Sequence, residues 1–92
     1  MTVGVSILGS TGTIGVNTLD VIERNRDKFK VVALTANLGV SKMTEQVLRF
    51  QPELAVMADP DAAQELERAL RNADVPTRVA SGASALAQAA SL

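Results

Sequence analysis

Residues 3–15 read VGVSILGSTGTIG, and this stretch decides the fold. Val3–Leu8 is a mostly apolar run of strand length, and its weak alternation predicts a strand that is buried on both faces. Gly9, Gly12 and Gly15 follow with the spacing G-x-x-G-x-x-G, and a helical pattern begins between the last two. A strand, a glycine-rich turn and a helix in this order are typical of the first βα turn of a dinucleotide-binding domain.

The glycine loop, residues 9–15, is therefore the predicted phosphate site. Gly9 permits the tight turn out of the strand, Gly12 lets the backbone approach a pyrophosphate, and Gly15 allows close packing of helix on strand. Free N–H groups and the positive end of the helix dipole then face the phosphates, and the Ser and Thr side chains add hydroxyl donors. The alternative is a turn that only connects strand to helix, and the position of the three glycines argues against it. The candidate cofactor-binding residues of the loop are Gly9, Ser10, Thr11, Gly12, Thr13, Ile14 and Gly15.

The rest of the chain alternates strand and helix patterns in the order β-α-β-α-β-α-β-α. The later strands are predicted at residues 31–35, 54–58 and 77–80, and the helices at 13–25, 41–50, 60–72 and 81–90. This order favours an α/β, Rossmann-like parallel sheet with helices on both faces. Because the last helix has no stop signal, we expect the chain to be truncated within such a domain.

Local signals support this division of the chain. The first helix is predicted to bury Ile14, Val21 and Ile22, and Ser41 and Asp59 are the predicted N-caps of the second and third helices. In a doubly wound sheet a later strand lies on the far side of the first strand. Without that strand, the first strand is expected to form an open apolar edge.

The segment after the second strand, residues 36–39, is predicted to meet the ribose of the nucleotide. An NAD-specific site places Asp or Glu there to accept the ribose 2′-hydroxyl. The segment reads ANLG and has no carboxylate, which argues against a strict NAD site and permits a 2′-phosphate. Asn37 can hydrogen-bond a ribose or phosphate oxygen. For Lys42, one turn into the next helix, an approach to the phosphate and an ordinary solvated lysine both stay open.

Composition excludes several function classes. The 92 residues contain no Cys and no His, which excludes a thiolate zinc site, a Cys nucleophile and a Ser-His-Asp triad within the chain. Two aromatic residues and a net charge of −1 do not fit a nucleic-acid surface. No apolar run reaches the roughly 18 residues of a membrane helix, and no leader pattern is present, so a cytoplasmic location is expected.

No catalytic residue and no metal ligand are predicted within the chain. Helix starts and solvated helix faces explain the four carboxylates that were the best candidates, which are Asp20, Asp59, Asp61 and Glu65.

Three segments together are more specific than the glycine loop alone: GSTGTIG at 9–15, TLDVI at 18–22 and FKVVALTAN at 29–37. With ELAVMAD at 53–59 and ASG at 80–82, they resemble the start of the 1-deoxy-D-xylulose 5-phosphate reductoisomerase family over nearly the whole chain. The resemblance implies an NADPH-dependent enzyme of the non-mevalonate route to isoprenoids. Such enzymes isomerise 1-deoxy-D-xylulose 5-phosphate and reduce the product to 2-C-methyl-D-erythritol 4-phosphate.

The resemblance also implies binding residues. The family's NADPH contacts fall on Thr11, Gly12, Thr13 and Ile14 in the glycine loop, and on Asn37, Leu38 and Gly39 after the second strand. The family usually has a polar or basic residue in place of Leu38 and Asn in place of Gly39. Backbone N–H groups of Leu38 and Gly39 are therefore expected to hold the 2′-phosphate.

Other family features belong to the full-length protein. They are a divalent metal (Mg²⁺, Mn²⁺ or Co²⁺) held by acidic residues, the sugar phosphate substrate and a homodimer. The resemblance implies that residues 1–92 are the N-terminal portion of an NADPH-binding Rossmann-like domain. It places the catalytic, metal-binding and C-terminal parts beyond residue 92, so this chain alone is not expected to be catalytically competent.

Two other function classes stay open at this point. One is another NADP-dependent oxidoreductase, such as a semialdehyde dehydrogenase or an extended short-chain reductase. These normally show a catalytic Cys or a Tyr-Lys pair, and neither Cys nor Tyr occurs here. The other is a non-enzymatic nucleotide- or CoA-binding module.

Overall fold

Four strands and four helices alternate along the chain in the computed structural model, which describes residues 2–37 and 39–90. They are β1 (Val3–Leu8), α1 (Thr13–Glu23), β2 (Phe29–Ala36), α2 (Val40–Phe50), β3 (Leu54–Met57), α3 (Pro60–Asn72), β4 (Arg78–Ser81) and α4 (Ala83–Ala90). Each strand pairs in parallel with the next one in sequence, so the strand order is β1-β2-β3-β4. The predicted Rossmann-like α/β fold is confirmed. None of these helices within the described residues has the length and apolar character needed to cross a membrane.

Helices cover both faces of the sheet, as predicted, but three lie on one face and one on the other. Right-handed crossovers that all step in the same direction place α1, α2 and α3 together. Leu34, Met43 and Leu66 are fully buried in the larger core cluster beneath them. α4 packs on the opposite face with small side chains, in a second cluster that consists of Ala33, Leu54, Val56, Ala85 and Ala89.

β1 lies at the edge of the sheet and is less buried than predicted. Ile7 is buried, but Val3 is 55% exposed and Leu8 is 59% exposed. The strand pairs only with β2, so its other side lacks a neighbour in the described part of the chain. The expectation of an open apolar edge is confirmed, and the expectation of two buried faces is wrong.

The predicted buried face of α1 is wrong for two of its three residues. Ile14 is 83% exposed and Val21 is 54% exposed, whereas Ile22 is buried. The buried stripe consists of Gly15, Leu19 and Ile22, which are spaced four and three residues apart. An apolar pattern gives no weight to a glycine, so the buried stripe was predicted one residue too early in the sequence.

Some element boundaries differ from the prediction. α1 ends at Glu23 rather than residue 25, because Asn25 turns back and donates from Nδ2 to the carbonyl of Val21. β2 begins at residue 29 instead of 31 and ends at 36, and β3 ends one residue earlier than predicted. β4 is displaced by one residue at both ends, and α4 begins at residue 83 instead of 81. The N-cap of α2 is Gly39 and not Ser41, since the positive φ of Gly39 (91°) turns the chain into the helix two residues earlier.

A bulge sets the register of the two strands that carry the site. Val5 pairs with Val31 and Ser6 pairs with Ala33, so Val32 is an extra residue in β2. The shift by one residue brings Thr35 opposite Leu8, at the point where β1 ends. A sheet without the bulge would turn the side chain of Thr35 to the other face.

Candidate functional site

The glycine loop connects the carboxyl end of β1 to the start of α1. Gly9 has a φ of 73°, a conformation that residues with a Cβ rarely adopt. The N–H of Gly12 donates to the carbonyl of Gly9 at 3.1 Å and closes a tight turn. The loop therefore leaves the strand, reverses and enters the helix within four residues, as the sequence predicts.

Gly15 and Gly12 differ in the space around them. A Cβ on Gly15 would lie 2.3 Å from the carbonyl oxygen of Gly9 and 2.6 Å from the Cα of Ser10, so no side chain fits there. A Cβ on Gly12 would meet only the Gly9 oxygen, at an ordinary 3.5 Å. Packing within the chain thus requires glycine at residue 15. At residue 12 the packing is loose, so a ligand can approach the backbone there.

α1 begins without a capping side chain. Gly12 is the N-cap, and the first turn contains no acidic residue. The first intrahelical bond runs from the N–H of Val16 to the carbonyl of Gly12 at 2.9 Å. The N–H groups of Thr13, Ile14 and Gly15 have no intrahelical acceptor, and the positive end of the helix dipole lies at the same place. This arrangement favours an anion.

α2 presents a second uncapped N-terminus beside the first. Its N-cap, Gly39, has no side chain, and its first turn also lacks an acidic residue. The Cβ position of Gly39 is 3.7 Å from the side chain of Thr11. The loops after β1 and β2 therefore touch at the carboxyl edge of the sheet, where open α/β sheets bind their ligands.

The N-terminus of α3 does not favour anions, because its own carboxylates occupy it. Asp59 is the N-cap, as predicted, and its Oδ2 accepts from the N–H of Ala62 at 3.0 Å. Pro60 has no N–H to offer, and Asp61 adds a second negative charge in the first turn. Among the first three helices, anion binding is thus directed to α1 and α2.

Two neighbouring elements hold the glycine loop from behind. From β2, Thr35 accepts from the N–H of Gly9 through Oγ1 (3.1 Å) and from the N–H of Ser10 through its carbonyl (2.8 Å). From α2, Gln46 donates from Nε2 to the carbonyl of Ser10 at 2.8 Å, and the Ser10 hydroxyl contacts the sulfur of Met43 at 3.9 Å. Ser10 is fully buried, so its hydroxyl supports the loop from inside and is not available to a ligand, contrary to the expectation.

The other predicted site residues lie as follows. Gly9, Gly12, Thr13 and Ile14 are exposed on the loop and Thr11 is half-buried. Asn37 is exposed directly after β2 and Gly39 is exposed at the start of α2, whereas Leu38 lies outside the described residues. Lys42 is exposed and lines a groove of about 370 Å³ between α1 and α2.

Three residues that hold the loop are not predicted from the sequence: Thr35, Met43 and Gln46. A threonine in an apolar strand and two residues within a helix give no local signal for a contact with the loop.

Charged side chains join α1 and α2 at the ends remote from the glycine loop. Glu23 accepts from Arg26 Nε at 3.0 Å and from Arg49 at 3.3 Å. Both bonds lower the pKa of the Glu23 carboxyl, and the bond from Arg26 has the larger effect. The Arg26 guanidinium also lies over the ring of Phe50, 4.7 Å from its centre. The network ties the two helices together, so it helps to keep their N-termini beside each other.

Acidic residues approach the start of α2 across a cavity of about 410 Å³. Asp59, Asp61 and Glu65 from α3 line it together with Gly39 and neighbouring residues of α2. Residues 2–37 and 39–90 contain no group of three or more acidic, His or Cys side chains that could hold a metal ion. The described part of the chain therefore has no ligand set for the divalent metal that the resemblance implies.

Known proteins match this chain over nearly its whole length. The family model for 1-deoxy-D-xylulose 5-phosphate reductoisomerase matches residues 5–92. The reductoisomerase of Nitrosospira multiformis is 51% identical over 87 residues, which cover 95% of this chain and 22% of that protein. The reductoisomerase of Nitrosomonas europaea is also 51% identical over 87 residues, covering 95% of this chain and 21% of the relative. The chain thus spans about a fifth of the length of these relatives.

Solved structures are similar to this chain in fold and in sequence. A reductoisomerase from Zymomonas mobilis in complex with NADPH superposes with a TM-score of 0.85 at 45% identity, over 97% of this chain and 22% of that one. A DOX-P reductoisomerase in complex with magnesium gives a TM-score of 0.88 at 29% identity, over 94% and 21% of the two chains. The chain that carries this glycine loop therefore belongs to the 1-deoxy-D-xylulose 5-phosphate reductoisomerase family.

Proposed function

We propose that this chain is the nucleotide-binding segment of an NADPH-dependent reductoisomerase, and that its glycine loop binds the pyrophosphate of NADPH. The observation that carries the proposal is the pair of uncapped helix starts at one edge of the sheet, with Gly12 open to an approaching phosphate. The similar protein from Zymomonas mobilis was solved with NADPH, which supports the choice of nucleotide.

The two halves of the site have different roles in this proposal. The loop residues Gly9, Thr11, Gly12, Thr13 and Ile14 contact the pyrophosphate, mainly through backbone N–H groups, and Gly15 and Ser10 shape the loop from inside. The segment of Asn37, Leu38 and Gly39 holds the ribose and its 2′-phosphate. The absence of a carboxylate in this segment and in the first turn of α2 favours the phosphorylated ribose over the free 2′-hydroxyl.

The full-length enzyme is proposed to convert 1-deoxy-D-xylulose 5-phosphate to 2-C-methyl-D-erythritol 4-phosphate. Bound NADPH supplies the hydride, and the residues of this chain bind and orient the nucleotide. The substrate site, the divalent metal and the homodimer contact are assigned to residues other than those described here. This chain alone is proposed to bind nucleotide without turnover.

A direct test of nucleotide choice is a titration of the chain with NADPH, NADH and CoA. We expect NADPH to bind at least tenfold more tightly than NADH, because the 2′-phosphate adds charge-assisted hydrogen bonds at the start of α2. A preference for CoA would favour the binding-module alternative, and equal binding of NADPH and NADH would remove the assigned 2′-phosphate site.

A test of the reaction uses a chimera. Residues 1–92 replace the matched segment of the Nitrosospira multiformis reductoisomerase, which is 51% identical to them. The chimera should oxidise NADPH only when 1-deoxy-D-xylulose 5-phosphate is present. A folded chimera that binds this substrate but oxidises no NADPH would contradict the proposal.

A further inference from the structure

We propose that Gln46 is a positioning residue of the nucleotide site, which acts by fixing the peptide group between Ser10 and Thr11. This inference rests on the proposed function, since it assumes that the glycine loop binds the pyrophosphate. Gln46 belongs to α2, 36 residues further along the chain than Ser10, and it touches the loop through one side-chain hydrogen bond.

The hydrogen bond from Gln46 also orients the N–H group of Thr11, because of the geometry of the peptide unit. Gln46 Nε2 donates to the carbonyl oxygen of Ser10 at 2.8 Å. The carbonyl of Ser10 and the N–H of Thr11 belong to one planar, trans peptide unit and point in opposite directions. Fixing the carbonyl therefore also fixes the Thr11 N–H, which has no acceptor among the described residues. Gln46 thus sets the direction of a free donor in the glycine loop.

The unused end of the Gln46 side chain supports a functional role. Its Oε1 is buried and accepts no hydrogen bond from the described residues. A buried acceptor without a donor destabilises the fold, and methionine or leucine would fill the same volume without that cost. Filling of space therefore does not explain an amide here, whereas a donor aimed at the Ser10 carbonyl does.

The start of α2 also approaches the loop at a second point, where a Cβ built on Gly39 would lie 3.7 Å from the Thr11 side chain. The same rigid helix thus presents its N-terminus to the proposed 2′-phosphate and holds the proposed pyrophosphate loop. Loss of the Gln46 bond should affect the pyrophosphate end and spare the 2′-phosphate end. This difference separates a positioning role from a general effect on folding.

The first experiment measures binding of NADP⁺ and of 2′-AMP, which has no pyrophosphate, by the wild-type chain and Gln46→Met. NADP⁺ should bind about tenfold more weakly to the variant, the factor that corresponds to one ordinary hydrogen bond. Binding of 2′-AMP should stay within about twofold. Gln64→Met, at an exposed position of α3, makes the same chemical change away from the loop and should leave both affinities unchanged.

A second variant, Gln46→Glu, adds a pH signature. Its carboxyl group can donate to the Ser10 carbonyl only when protonated, and it repels that oxygen when ionised. The ratio of NADP⁺ affinities, variant to wild type, should therefore fall as the pH rises through the pKa of the introduced carboxyl. Direct repulsion of the ligand by the new charge would give 2′-AMP the same slope, so a positioning role requires a slope for NADP⁺ that 2′-AMP lacks. This measurement decides the question if Gln46→Met fails to fold.

The outcomes are distinguishable. If the wild-type chain binds no NADP⁺, the proposed function fails, and this inference fails with it. If the wild type binds but Gln46→Met binds NADP⁺ equally well, the function stands and the inference is overturned. Equal weakening of NADP⁺ and 2′-AMP, or a flat affinity ratio for Gln46→Glu across pH, also overturns it.

Discussion

A Cβ atom on Gly15 would lie 2.3 Å from the carbonyl oxygen of Gly9, and this oxygen belongs to the backbone of the loop that starts the helix. No side-chain rotation relieves such a contact, so either the loop or α1 must move. The first turn of α1 therefore packs directly against the backbone of the glycine loop. This packing fixes the orientation of the free N–H groups at the start of the helix.

Gly15→Ala should destabilise the chain by about 3 kcal/mol, because overpacking against backbone costs more than overpacking against flexible side chains. The sign is informative, since a Gly-to-Ala change within a helix ordinarily stabilises by about 1 kcal/mol. Urea denaturation measures the difference. Gly12→Ala, whose new Cβ has an ordinary contact at 3.5 Å, is the matched control and should cost only about 1 kcal/mol, as an unfavourable N-cap residue. A Gly15→Ala midpoint equal to that of wild type would contradict the packing described here.

Gly12→Val should separate binding from folding. Its side chain occupies the open side of the loop, so in the chimera the KM for NADPH should rise at least tenfold while the KM for the sugar phosphate stays the same. The fold should lose only about 1 kcal/mol, the usual cost of an unfavourable N-cap residue. Steady-state kinetics and a thermal melt together check both parts. Unchanged NADPH kinetics would refute the assignment of the loop.

Asn37→Asp should change the nucleotide preference. A carboxylate directly after β2 repels a 2′-phosphate and accepts a hydrogen bond from a free 2′-hydroxyl. We expect the ratio of NADPH to NADH affinities to fall at least tenfold, mostly through weaker NADPH binding. Asn37→Ala removes the amide without adding charge, and it should weaken both nucleotides to a similar, smaller extent. An unaltered ratio in the Asp variant would place the 2′-phosphate elsewhere.

Glu23→Gln should remove a part of the pH dependence of stability. The pKa of Glu23 is lowered in the folded chain, mainly by its hydrogen bond from Arg26, so the ionised carboxylate stabilises the fold. This contribution is complete above the unfolded value of about 4.5 and is lost as the pH falls through the lower folded value. The variant should thus be slightly less stable than wild type at neutral pH, and the difference should vanish in acid.

Salt provides the check on this electrostatic reading. Both arginines are exposed and Glu23 is half-buried, with 31% of its side chain exposed, so the difference at neutral pH should shrink as ionic strength increases. Glu45→Gln is the control on α2, since Glu45 is exposed and forms no ion pair in the described part of the chain. A salt-independent difference for Glu23→Gln would mean that packing, not charge, is responsible.

The fold could be predicted because its signals are local. The apolar strand, the glycine spacing and the Asp59-Pro60 helix start act within a few residues, and each lies where it was expected. The burial of β1 and α1 could not be predicted in the same way. Whether Leu8 or Ile14 is covered depends on what packs beside the edge strand, and no pattern within the segment contains that information.

The candidate site shows the same contrast between features set by local sequence and features set by distant residues. The open N–H groups of the loop follow from its own sequence, because glycine at the N-cap leaves a helix start uncapped. The groups that hold the loop, Thr35 and Gln46, are 26 and 36 residues away from their partners. Their roles depend on strand register and helix placement, which only the folded structure defines. The burial of Ser10 is the clearest example, since a serine in a phosphate loop is normally expected to face the ligand.

The strand order has a consequence for how the molecule forms. Each strand pairs with the one that follows it in sequence, so the contact order is as low as a parallel sheet permits. During synthesis, β1, α1 and β2 can assemble as soon as they leave the ribosome, and α2 can then dock on them. The hydrogen bonds from Thr35 and Gln46 to the loop need none of the later elements. The hydrogen bonds that hold the pyrophosphate half of the proposed site join residues within the first 46 positions only, so they can form before β3, α3, β4 and α4 emerge from the ribosome.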